Sequence, residues 1–95
     1  MRAPEVETAI ELYYAKTEIG TQDIKRLFDV SDGKASTLKK QARAAMREKD
    51  VITIFPTNVN TKVAYEAWGL DIAELERKYR KLISLGFLKE AASDG

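Results

Sequence analysis

"TQDIKRLFDVSDGKASTLKKQARAAMREKD", residues 21–50, sets two helical patterns of unequal length on either side of a turn. In the first, Thr21 is a good N-cap, Asp23 falls in the first turn, and Ile24, Leu27 and Phe28 supply a buried side. "DVSDG" then breaks the period: Asp29 tolerates a left-handed backbone, and Ser31 can cap the next helix. The second pattern, over residues 34–48, places Ala35, Leu38, Ala42, Ala45 and Met46 three or four apart. That is a narrow stripe of mostly small side chains, which lets a helix approach its partner closely. On a different face Ser36, Lys40, Arg43 and Arg47 recur at intervals of four, three and four, stacking one hydroxyl and three cations in a row.

Upstream, "APEVETAIELYYAKTEIG" reads as a helix running toward Gly20. Pro4 suits its first turn, Glu5 and Glu7 complement its positive end, and Val6, Ala9, Ile10, Tyr13 and Tyr14 keep helical spacing, so both tyrosines are expected to pack. Downstream the period changes. "VITIF", residues 51–55, is β-branched and aromatic and reads as a strand; "PTNVN" carries turn residues, and a short returning strand is expected around residues 59–61. A helical turn or two with Ala64, Tyr65 and Trp68 comes next and stops at Gly69, and Trp68 is expected in the core. "LDIAELERKYRKLISLG" is the clearest helix, with Asp71 as its cap, acids early and bases late. Ile72, Leu75, Tyr79, Leu82 and Gly86 fall on a heptad seam, which suits either a homodimer or packing on the chain's own core. Residues 1–90 are expected to form one domain, with 91–95 as a flexible tail.

Composition narrows the function. The 95 residues hold 16 bases and 15 acids, a net charge of +1, yet residues 25–49 hold eight bases and three acids. A nearly neutral chain therefore has a basic centre. Cysteine and histidine are absent, which removes disulfides, thiol nucleophiles, Cys/His zinc sites and imidazole proton transfer. No convergent acid, base and nucleophile can be named, and the five glycines are scattered singly rather than gathered in a phosphate loop. The expectation is a non-enzyme with no cofactor and no small-molecule substrate. No apolar run approaches the roughly 20 residues of a membrane span, and no secretory leader pattern opens the chain, so cytoplasmic residence is the default expectation.

A threonine opening the first helix, a buried Ile24 and Phe28, a turn ending in "VS" at Val30 and Ser31, and Ala35 and Leu38 five and eight residues after Val30 are together similar to the bacterial helix-turn-helix pattern. Two positions depart from it: Lys25 stands where that pattern has a small residue and Asp29 where it has glycine. A lysine there can snorkel, and an aspartate can adopt the turn backbone. The segment "VITIFPTNVNTKVAYEAWGLD" resembles the wing and adjoining segment of excisionase and MerR-like winged helix-turn-helix proteins of phages and mobile elements, with Asn60, Thr61, Ala64 and Trp68 at comparable places. These resemblances imply a mainly α fold with a helix-turn-helix core, a small two-stranded β-wing and a long C-terminal helix.

The basic helix supports a consistent expectation on physical grounds. An α-helix fits the major groove, where its N-terminal part meets base edges and longer cations reach phosphate. Ser36, Thr37, Lys40 and Gln41 are the candidate base readers, with Gln41 suited to adenine; Lys34, Lys39, Arg43 and Arg47 are better placed for phosphate. Asn58 and Lys62 flank the expected wing and are candidate phosphate or minor-groove contacts. The expected function is sequence-specific binding of double-stranded DNA, as a transcriptional regulator or a recombination accessory factor of the excisionase kind. Two other readings stay open: a protein interaction module that dimerises through Ile72, Leu75, Tyr79 and Leu82, and the DNA-recognition subunit of a phage packaging machine.

Overall fold

In the computed structural model, which describes residues 5–86, the elements run in the order α1 (Val6–Ala15), β1 (Glu18–Ile19), α2 (Thr21–Phe28), α3 (Asp32–Glu48), β2 (Val59–Asn60), α4 (Thr61–Ala67) and α5 (Ile72–Ser84). The protein is thus mainly helical with one small antiparallel sheet. Pro4, residues 87–90 of the expected domain and the expected tail at 91–95 lie outside the described residues.

Small side chains put α3 at the centre. Ala35 and Ala42 have no exposed surface and Leu38 and Met46 are buried, so α2 packs on this helix from one direction and α4 and β2 from another. Alanine at the contact allows the close approach that larger residues would prevent. α1 packs chiefly against α5 and touches α2 and α4. Three polar ties lock these layers. The Tyr65 hydroxyl donates to the Ala9 carbonyl (2.6 Å), the Thr61 hydroxyl donates to the Lys16 carbonyl (2.8 Å), and the Trp68 indole N–H donates to the Leu38 carbonyl (2.8 Å). Burial raises the Tyr65 phenol far above its ordinary pKa, so it remains a donor across the working pH range.

Local chemistry sets the boundaries. Asp29 takes the left-handed conformation (φ 53°, ψ 56°) that ends α2, as the turn chemistry predicts. Ser31 caps α3, its hydroxyl accepting from the Lys34 amide, and Asp71 caps α5 by accepting from the Ala73 and Glu74 amides. Gly69 closes α4 with φ 76°; its amide and that of Leu70 donate to Glu66 and Tyr65, a Schellman arrangement that favours glycine.

Several expectations need correction. The first helix does not run toward Gly20: it ends at Ala15, and Glu18 and Ile19 form a strand, because Ile19 is drawn fully into the core beside Val59. Thr21 is the first residue of α2 rather than its cap; Gly20 is the cap residue, and the Asp23 carboxylate accepts from its amide. Residues 51–55 are not a strand and pair with nothing. β2 pairs instead with β1, Glu18 opposite Asn60 and Ile19 opposite Val59, so the sheet is not a hairpin wing. Burial accounts for it: Ile52, Ile54 and Phe55 are 89%, 84% and 62% exposed, so the large apolar side chains of a hairpin there would gain no core. Thr61 belongs to α4, capped by the Asn60 side chain, not to the returning strand. Tyr14 lies outside the core, its hydroxyl donating to Glu76, whereas Tyr13 is partly buried against it. The helix expected after Asp71 is present as α5, the last among the described residues, with 13 residues against the 17 of α3.

Candidate nucleic-acid interface

The core stripe fixes which α3 residues face outward. With Ala35, Leu38, Ala42 and Met46 turned inward, Lys34, Ser36, Thr37, Lys40, Gln41 and Arg47 are exposed and Arg43 is half-buried at the edge of the outer face. Lys39 differs: it is partly buried, and its ammonium donates to the Thr21 hydroxyl (3.1 Å), tying α3 to the start of α2.

Pairing separates these cations from many others. Lys16 is bridged to Asp23, Lys25 to Asp32, Lys49 to Glu66 and Lys78 to Glu74, and Arg26 lies 3.9 Å from Glu11. Among the described residues, no carboxylate pairs with Lys34, Lys40, Arg43 or Arg47. Lys40, Arg43 and Arg47 therefore form an unpaired positive strip on a helix whose opposite face is anchored in the core, while Lys34 lies about a third to a half of a turn around the helix from them. Lys25, out of pattern in the sequence, uses its charge across the turn on Asp32 (2.9 Å).

Asn58 and Lys62 do not join this strip. The Asn58 side chain donates to Glu18, inside the loop between α3 and β2. Lys62 stands with Tyr13, Tyr14, Lys16 and Thr17 along one groove and with Tyr65, Glu66 and Leu70 along another. Arg43 and Arg47 instead share a cleft with Met46, Val51, Ile52, Thr53 and Pro56, which brings the 51–58 loop beside the cationic strip.

Sequence reasoning missed what holds that loop. The Glu18 carboxylate accepts from the Ile54 and Phe55 amides and from the Asn58 side chain. The Thr53 hydroxyl donates to the Phe55 carbonyl (2.8 Å). The backbone hydrogen bond from Ile54, with those from Phe55 and Asn58, holds the Glu18 carboxyl below its ordinary pKa. Nothing in the sequence links an acid at 18 to amides 36 residues later; only the pairing of β1 with β2 brings them together.

The candidate dimer seam is partly used within the chain. Leu75 is buried in the core and Ile72 packs against it, while Tyr79 and Leu82 are half-buried. Among the described residues no helix is long and apolar enough to cross a membrane, and no cluster of three or more acids stands ready for a metal ion. Compared with known protein families, curated proteins and solved structures, the chain matches none.

Proposed function

We propose that α2, the turn at residues 29–31 and α3 act as a helix-turn-helix, and that the protein binds double-stranded DNA sequence-specifically with α3 in the major groove. The observation that carries this reading is the outward strip of Lys40, Arg43 and Arg47, joined by Lys34 at the start of the helix, all unpaired with any carboxylate among the described residues and set on a helix seated by Ala35, Leu38, Ala42 and Met46. A strip of this kind matches the regular negative charge of a duplex backbone. Ser36 and Thr37 in the first half of α3 and Gln41 just past its midpoint, all exposed, are the proposed readers of base edges, and Gln41 has the paired donor and acceptor that adenine presents in complement. Lys39 serves mainly to hold α3 against α2. A transcriptional regulator or a recombination accessory factor is the role that fits a small DNA-reading domain without a catalytic set.

Fluorescence anisotropy with a mixed-sequence duplex tests this directly. Four phosphate contacts give a log–log salt slope of about −3.6, which weakens binding about 10²-fold between about 50 and 200 mM salt. Binding that is flat with salt, or no binding, ends the proposal.

A further inference from the structure

Five large apolar side chains among the described residues are more than half exposed, and three of them, Ile52, Ile54 and Phe55, sit within four residues of one another. Single exposed apolar residues are ordinary, but a cluster of this size on one loop points to a partner. Pro56, also exposed, extends it.

This loop is held rather than loose. Glu18 binds the Ile54 and Phe55 amides and the Asn58 side chain, the Asn58 amide donates to the Phe55 carbonyl (3.0 Å), and the Val51 amide donates to the Met46 carbonyl (2.9 Å) at the end of α3. Residues 51–65 contain no acid, and the nearby Glu18 charge is occupied by the loop's own amides. The loop is therefore apolar and preorganised, contributes no acidic side chain of its own, and through Val51, Ile52, Thr53 and Pro56 shares a cleft with Arg43 and Arg47.

Resting on the DNA reading above, we infer that Ile54 and Phe55 form a wedge that enters the minor groove next to the major groove occupied by α3, parts a base step and kinks the duplex. Charge complementarity selects the occupant, since an anion lying on Arg43 and Arg47 is carried against Ile52 and Pro56, on either side of Ile54 and Phe55, while the Glu18 carboxylate is engaged by the loop's own amides. Isoleucine, phenylalanine and proline are among the apolar side chains that separate base steps, as leucine and methionine are, and such wedges bend DNA by about 20–90°. Pyrimidine–purine steps, the easiest to unstack, are the preferred entry points.

The test uses the full chain and a short duplex recovered by selection from random sequences, with dyes at its ends for energy transfer and 2-aminopurine at successive positions. For the unaltered protein, the dyes are expected to approach and one step to brighten as it unstacks. For the double variant Ile54→Ala and Phe55→Ala, the same salt slope is expected with the end-to-end signal and 2-aminopurine back to free-duplex values. Both side chains are mostly solvent-exposed, so the variant keeps the fold, which its melting curve verifies; Phe55→Leu retains the kink. Binding without bending by the unaltered protein, or undiminished bending by the double variant, overturns the wedge while leaving DNA recognition standing. No salt-dependent binding by the unaltered protein overturns both. A drop in solution mass in the double variant with bending unchanged assigns the patch to protein contact and likewise overturns the wedge.

Discussion

Trp68 and Leu38, thirty residues apart, meet in one hydrogen bond, the indole N–H donating to a carbonyl in the middle of α3 at 2.8 Å. The same ring stands edge-on to Phe28 at 5.5 Å between centroids, so one side chain fastens the end of α4 to both α2 and α3. Trp68→Phe keeps the ring packing and loses the donor. The expected cost is about 1 kcal/mol, seen as a fall in Tm of about 4–8 °C by circular dichroism. An unchanged Tm would mean that the bond adds nothing to the assembly of these helices.

Arg43 and Arg47 invite a charge-matched comparison. Converting both to Ala should make the salt slope of DNA binding shallower by about 2, with little change in thermal stability. Arg77→Ala with Arg80→Ala removes the same charge from α5, where both side chains are exposed and, among the described residues, unpaired. That control should leave the slope nearly unaltered. Equal losses from the two pairs would indicate diffuse attraction with no role particular to α3.

Gln41→Ala should act differently from any cation. If its amide reads one base pair, preference at that position weakens by about 1–3 kcal/mol while affinity for unrelated sequences stays put. Site selection with both proteins makes the comparison; identical logos refute the assignment.

Glu18 gives a pH dependence whose sign is fixed. Its carboxyl is held below the ordinary value of 4.5 by the Ile54 amide first and the Phe55 amide and Asn58 side chain next. A carboxyl with a lowered folded pKa contributes order that is fully present above 4.5 and is lost as pH falls through the lower folded value. The Ile54 and Phe55 amide resonances should therefore shift with acid titration below 4.5 and stop doing so in Glu18→Gln.

Leu75 separates stability from association. Because it is buried against α1 and the rest of the core, Leu75→Ala should destabilise the chain by about 2–5 kcal/mol whatever its oligomeric state. Tyr79→Ala with Leu82→Ala touches the half-buried part of the seam; sedimentation of that variant reports on dimerisation without the core penalty.

Helices are legible wherever a one-sided apolar period coincides with a cap. Ser31 and Asp71 mark true helix starts, Asp29 and Gly69 true stops, and the alanine stripe of α3 is the packed face that its spacing implies. Strands are only partly legible: β2 falls within the returning strand expected at residues 59–61, but β1 and the pairing do not emerge, because each strand is two residues long and stabilised by a partner 40 residues away rather than by its own composition. Residues 51–55 have the composition of a strand but no neighbour to pair with, since Glu18 takes the amides of Ile54 and Phe55. At the site, the outward cations of α3 emerge from periodicity alone. That Lys39 turns toward Thr21, and Asn58 toward Glu18, depends on neighbours distant in sequence.

Because α3 is seated by one inner face, its outer positions carry little of the scaffold's cohesion. Exchanging Ser36, Thr37 and Gln41 for other polar side chains leaves Ala35, Leu38, Ala42 and Met46 untouched. A library randomised at those three sites should yield mostly foldable proteins, and the proposed DNA reading predicts that their preferred duplexes differ.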